Sequence, residues 1–459
     1  MAQETPLYSA LLRETKKNKI RMHMPGHKGR PLQEFDFTEA FAIDYTELAA
    51  TGNLYQGIPP ISDAQALMAQ AVGANQCLFL TCGSTQGIMT ALAIAAPVGS
   101  TILLDRGCHQ SVWNAMAHLD LLPQYVYPGR LKPWEISAPL NFWQVEAALQ
   151  QNPQVSCVLI TSPTYYGVLS DIEAIAKVTQ EYRVPLIVDE AHGAHLPYLN
   201  GYQSAVAQGA TFAVASAHKT LPALTPGAML FSNGCYPAKE IRQKAAMFGT
   251  SSPSYLVMAS MDVGRAYLQE KGEKQYEVVA CFVYDLRGEI NSRGIFVALQ
   301  DAQGLHLDPT RLTINTSISG LTGYDAAKVL EDEAGIVCEM ADQDNIVLIF
   351  TCMDQAKDLQ AIRKAIRMLE KNAKKKKPPI GPLAFLPSIR ELTPRQAAYS
   401  PKEYLTLKDA AGKIAGEHIS PYPPGIPVVA CGEKITVEHL AYLQQQNFDL
   451  DQEIAVLKS

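Results

Sequence analysis

Residues 184–219 read VPLIVDEAHGAHLPYLNGYQSAVAQGATFAVASAHK, and the fold follows from them. Leu186, Ile187 and Val188 make a short apolar run that ends on an acid, Asp189. Phe212 to Ala215 makes a second run, followed by Ser216, His218 and Lys219. Each reads as a buried strand. In open parallel α/β sheets, ligands gather beyond the carboxyl ends of the strands, and Asp189 and Lys219 would both sit there. Alone, a strand-terminal Asp is often a cap or loop former, and a Lys after a strand is usually solvated. Together, with His192 and His218 beside them, they suit one ligand, pyridoxal 5′-phosphate (PLP). Its aldehyde needs a lysine amine, and its ring nitrogen needs an acidic partner to stay protonated.

The composition agrees. A chain of 459 residues, 47% apolar and 18% charged, can bury a large core in two or three domains. The formal charge of −6 gives no basic field to draw nucleic acid. No apolar run is long enough for a membrane span, and residues 1–30 lack the apolar segment of a signal peptide. The nine cysteines are scattered and form no CxxC pair, which argues against zinc and against a disulfide framework. A cytoplasmic protein without metal is expected.

Outward from the central stretch, Cys77–Leu80 reads as a strand, Gly83-Ser84-Thr85 as a turn, and Gln86–Ala96 as a helix. Free N–H groups and two hydroxyls at a helix N-terminus make a phosphate site. Thr101–Leu104 is a further strand leading to His109, a ring well placed to stack on a flat cofactor, and Ser111–Leu119 is a helix. Val155–Ile160 leads into SPTYYG, and Asp171–Tyr182 is an amphipathic helix. Strands and helices thus alternate from 77 to 219, which predicts one α/β domain with a mostly parallel sheet.

Before this unit, residues 1–20 read as a short helix, and residues 62–72 as a helix capped by Ser62. The turn in RMHMPGHKGR gathers His27 and Lys28, which suit an anion or a substrate carboxylate; composition equally allows a solvated loop. After it, Ala228–Phe231 is a strand and a long helix runs from 250 towards 290. A β-α-β-β-α unit follows, then a lysine run, Lys374 to Lys377, and a proline-rich tail. The expected division is 1–290, 291–373 and 374–459.

The motifs HMPGHKGR, DYTEL, GSTQG, HQSVWNA, SPTYYG, VDEAHGAH, SAHKT, TSSPSYLVMASMD, DPTRLTI and ISPYPPGIP are spread along almost the whole chain. In them the chain resembles the fold-type-I PLP-dependent ornithine/lysine/arginine decarboxylases, in the short bacterial form without an N-terminal wing domain. The resemblance implies an aspartate aminotransferase-like large domain, a small α+β domain and a C-terminal α/β segment. It implies that Lys219 bonds the cofactor aldehyde, Asp189 pairs with the ring nitrogen, His192 sits close by and His109 stacks on the ring. Gly83, Ser84, Thr85, Ser216 and His218 would hold the phosphate, and Thr164 and Tyr165 would lie beside the ring. Ser251 and Ser252 would reach the partner's phosphate site across a homodimer interface. Lys219 or His218 would return a proton to the substrate.

The implied activity is decarboxylation of arginine, lysine or ornithine to the amine and CO2, for polyamine biosynthesis, with arginine slightly ahead. Glu47 and Glu433 are acids suited to a distal cation; Glu433 is equally a helix-capping acid before Thr436. The family pattern is broken at Asn53-Leu54-Tyr55, where Asp-Leu-His is common, so Tyr55 lies near the expected substrate mouth. Cys82 replaces an Asn, and Cys431 replaces the Pro of Pro-Gly-Glu. Another PLP enzyme on the same fold and a non-enzymatic relative are the alternatives.

Overall fold

Seven strands form the central sheet: β1 (Gln76–Leu80), β2 (Thr101–Asp105), β3 (Leu122–Val126), β4 (Val155–Thr161), β5 (Leu186–Asp189), β6 (Phe212–Ser216) and β7 (Ala228–Ser232). Their order across the sheet is β3-β2-β4-β5-β6-β7-β1. From β3 to β6 every pairing is parallel, and β7 runs antiparallel to both β6 and β1. The computed structural model describes residues 20–22, 45–48, 50–301, 305–373, 386, 388–420, 425–446 and 448–458. Of the helix expected over 1–20, residues 1–19 lie outside these, as do His27 and Lys28, and Ile20 opens a short strand, Ile20–Met22.

Every residue of β5 and β6 is buried. That is why they read as continuous apolar runs: helices cover both faces of a parallel sheet. The edge strand β3 gave no such signal. Its sequence, LPQYV, carries Pro123 and is only partly buried, as suits an edge position. The sequence reading also left out the helix Phe142–Gln151. Gly83-Ser84-Thr85, expected as a turn, is the first turn of the helix Gly83–Ala95. The chain can enter that helix so abruptly because Gly83 adopts φ +77°, which favours a residue without Cβ. Ser62 does not cap: its helix starts at Ile61, with Pro60 in the capping position.

The helix Tyr255–Arg293 is 39 residues long and is capped by the Ser254 hydroxyl, which accepts from the Val257 amide. Its early residues, including Met258, Met261, Leu268 and Tyr276, pack into the core of the central sheet. Its later ones, Val279, Val283, Leu286 and Ile290, pack into a second core. That core belongs to an antiparallel sheet of β8 (Val297–Ala298), β9 (Arg311–Asn315), β10 (Met340–Ala341) and β11 (Asn345–Ile349), in the order β8-β9-β11-β10. Leu359, Ile362, Ile366 and Leu369 of the helix Ala356–Leu369 are all buried in it, the face expected from their spacing. A third core, with Leu407, Ile435, Leu443 and Val456, closes the C-terminal segment. No helix among the described residues is long and apolar enough to cross a membrane.

Candidate active site

The carboxyl ends of β2, β4, β5 and β6 carry Asp105, Thr161, Asp189 and Ser216. The register sets Thr161 and Val214 beside Asp189. Directly after β6, the short helix Ala217–Thr220 presents His218 and Lys219. These ends open into a cavity whose empty space, open solvent included, is about 710 Å³. Of the residues expected from sequence, Ser84, His109, Thr164, Tyr165, Asp189, His192 and Lys219 line it.

Lys219 and His192 form its centre. Lys219 Nζ lies 3.0 Å from His192 Nε2. On the other side of the imidazole, Arg311 Nη1 and Nη2 each approach Nδ1 at 3.3 Å. A guanidinium only donates, so Nδ1 accepts and the neutral ring carries its proton on Nε2. That N–H then points at Lys219, whose amine accepts as the neutral form. The electrostatics agree. Burial, Lys219 and Arg311 hold His192 well below the usual imidazole range. Burial also pulls Lys219 down, against the charge of Asp189. Desolvation thus favours the neutral, nucleophilic form of the amine.

Arg311 is itself fixed. Its Nη1 donates to the Tyr165 carbonyl at 3.2 Å, and Nη2 lies 3.8 Å from Asp308. Burial alone would raise Asp308, but His195, Arg311 and the Thr310 amide outweigh it and keep the carboxyl well below its usual range. The Tyr165 ring leans on His192 at 4.4 Å between centroids, and Lys219 Nζ stands 5.9 Å from the centre of the Tyr165 ring.

Asp189 accepts from the Ala191 amide at 3.2 Å. Its burial raises the carboxyl, with His109 and Lys219 opposing. A buried acid held up in this way gains from a cationic partner. His109 caps the helix Gln110–Leu119, its Nδ1 accepting from the Ser111 amide at 3.2 Å. Burial lowers it, Asp189 raises it and Lys219 lowers it.

The residues present fit PLP. Among the described residues, the Thr81, Thr161 and Ser216 hydroxyls are buried without a hydrogen-bond partner. Such groups are costly unless something supplies one. The register aligns Ser216, Ala228 and Leu80 across three strands, so Ser216 and Thr81 share one rim of the sheet. The helix Gly83–Ala95 begins on that rim with no side-chain cap, leaving N–H groups for an anion. An acid, a lysine, flat rings and this cradle together match the groups of the cofactor.

Other expected residues do not line the cavity. His218 Nδ1 is 3.0 Å from the Gly227 carbonyl. Ser251 and Ser252 are exposed in the loop before the long helix. The Tyr55 hydroxyl accepts from Gln86 Nε2 at 3.1 Å and is not a cavity wall. Glu47 takes a hydrogen bond from the Thr46 hydroxyl at 2.6 Å. Glu433 is 2% exposed and pairs with Arg106 at 3.3 Å; it neither faces the cavity nor caps a helix, since Thr436 caps Val437–Gln445 with its own side chain. The sequence reading missed Asp105, a cavity acid that burial pushes up to about 6. TILLD has the same form as LIVD, an apolar run ending in Asp, and could have shown it. Arg311 lies in the DPTRLTI motif but was given no role, being 119 residues from His192.

Comparison with known proteins agrees with this geometry. Residues 5–302 match the Orn/Lys/Arg decarboxylase major domain, and residues 390–450 match the C-terminal domain of the same family. The arginine decarboxylase of Bacillus subtilis (strain 168) is 31% identical over 459 residues, which cover 96% of this chain and 93% of that protein. The constitutive lysine decarboxylase of Escherichia coli (strain K12) is 26% identical, covering 94% of this chain and 76% of that one. Among solved structures, lysine decarboxylase A from Pseudomonas aeruginosa superposes over 100% of this chain and 78% of its own, with a TM-score of 0.75 at 17% identity. Family match and fold coincide, and the chain belongs to the Orn/Lys/Arg decarboxylase family.

Proposed function

We propose that this chain is a cytoplasmic, PLP-dependent decarboxylase of a basic amino acid, arginine ahead of lysine and ornithine, which supplies amines for polyamine formation. The observation that carries it is the placement of Lys219 Nζ 3.0 Å from His192 Nε2 beside buried Asp189. The order of substrates rests on the relatives: those at 31% identity include several named arginine decarboxylase, while the lysine decarboxylases stand at 24–26%.

When bound, PLP supplies an electron sink for the pair left behind as CO2 departs. The chain does the rest. Lys219 is the amine that would hold the cofactor aldehyde, its neutral form favoured by burial. Asp189 would hold the proton on the ring nitrogen, and His109 would cover one face of the ring. Thr164 and Tyr165 would flank it. Gly83, Ser84, Thr85, Ser216 and His218 would hold the phosphate, with Ser251 and Ser252 reaching the partner subunit's phosphate in a homodimer. Once CO2 has gone, Lys219 Nζ, having taken a proton from the incoming substrate ammonium, would return it to the substrate α-carbon, with His218 the other candidate donor.

The test is a panel of amino acids incubated with the purified protein and PLP, with products read by mass. Agmatine, cadaverine or putrescine should form from the matching substrate. Turnover of an uncharged amino acid alone would refute the substrate class, and a keto acid formed without CO2 would refute the reaction.

A further inference from the structure

Asp105 and Arg106 are neighbours at the end of β2, and they face opposite ways. Asp105 lines the cavity. Arg106 turns into the C-terminal segment, where its Nη1 donates to the Pro427 carbonyl at 2.7 Å and its Nη2 to the Val428 carbonyl at 3.1 Å. Nη2 also meets Glu433 at 3.3 Å, with both side chains almost fully buried, at 3% and 2% exposure. The guanidinium lies 5.0 Å from the Trp113 ring centre and 5.6 Å from that of Tyr125.

Glu433 ties the same segment from within. Its Oε2 accepts from the Ala430 amide at 2.8 Å. Its Oε1 accepts from the Tyr125 hydroxyl at 3.4 Å and from the Ser388 hydroxyl. Two residues before Pro427, the Gly425 carbonyl accepts from the Gln110 amide at 3.3 Å, next to His109. The pinned residues, Gly425, Pro427 and Val428, bracket Ile426, the one residue of the C-terminal segment that lines the cavity among those described.

A buried ion pair adds little net stability compared with a well-packed apolar pair, and its gain is geometric definition. Here the planar fork of Arg106 matches two carbonyls and a carboxylate at once. Lysine, a point charge on a flexible stem, cannot.

We propose that Arg106 and Glu433 are positioning residues that set the apolar wall made by Ile426, so that the C-terminal segment determines how the amino-acid substrate fits against Asp105 and His109. The inference rests on the decarboxylase reading. Arg106 and Glu433 do not touch substrate; they act through Ile426.

The experiment is a double-variant cycle on holoenzyme, with Arg106→Lys, Ile426→Ala and the pair. Cofactor content is read by absorbance, and kcat and KM are read separately. Arg106→Lys should raise KM about tenfold, with PLP content within twofold of wild type and kcat less affected than KM. Ile426→Ala should raise KM similarly, and the pair should match either single variant, since residues acting through one contact are not additive. Additive effects, an unchanged KM in Ile426→Ala, or a fall in PLP content and kcat together at constant KM would overturn the proposal. Should Arg106→Lys not fold, the isosteric Glu433→Gln takes its place in the same cycle with the same expected outcomes. If the wild type itself forms no amine, the decarboxylase reading fails; if it does and the cycle is additive, only the positioning role fails.

Discussion

Asp189 and Arg311 act on Lys219 in opposite senses, Asp189 raising its pKa and Arg311 lowering it. Asp189→Asn keeps the shape of the site but removes the charge that would hold a protonated ring nitrogen. Loss of one electrostatic contact in such a site costs about 2–4 kcal/mol in the barrier, or roughly 30- to 1,000-fold in kcat. Kinetics on cofactor-saturated enzyme check this, and activity within twofold of wild type would exclude the role. Arg311→Met removes a positive charge beside His192 and frees Nδ1. Because that charge helps hold the imidazole low, His192 should become protonated at higher pH. The acid limb of the pH–rate profile should then move towards neutrality; an unmoved limb would separate Arg311 from the Lys219–His192 pair. Asp189 and Lys219 were legible in the sequence because each follows an apolar strand. Arg311 was not, because only the docking of β9 against the SPTYYG loop brings it to His192.

Strand β5 and the loop after it carry a second acid, Glu190, whose Oε1 accepts from the Ala205 amide at 3.0 Å. Burial pushes it up to about 8, the amide opposing. Between its ordinary value near 4.5 and about 8, the folded chain binds this proton and the unfolded chain does not. Stability from this group therefore falls as pH rises through that window. Glu190→Gln keeps the bond from Ala205 and has nothing to titrate. Its Tm should fall less than that of wild type between pH 5 and pH 8, and parallel curves would refute the assignment. The elements themselves were legible in proportion to their burial. The β4, β5 and β6 strands read clearly because both faces are covered. The β3 strand did not, because an edge strand tolerates proline and half-exposure, and pairing alone made it a strand.

The central-sheet core and the second core are tied by one long helix, and the C-terminal core is joined to the central one by side chains such as Arg106 and Glu433. The mostly parallel sheet and the smaller β-α-β-β-α unit could be anticipated from the alternation of elements; the order of their strands could not. The seat of Glu433 could not, since a lone Glu before a Thr reads equally as a cap or as a ligand, and only the approach of Arg106 from β2 made it an ion pair. Ser251 and Ser252 stand exposed in a single chain, so their expected role needs a second copy. Sedimentation velocity on the active enzyme should give a dimer or larger, and a fully active monomer would contradict that role.

The measurement closest to the central claim is borohydride reduction of the PLP-loaded protein, followed by peptide mapping. If Lys219 is the amine that the strand end, His192 and Asp189 prepare, the pyridoxyl group will be found on Lys219, in the SAHKT peptide. A label on any other lysine, or none with PLP in excess, would contradict the account.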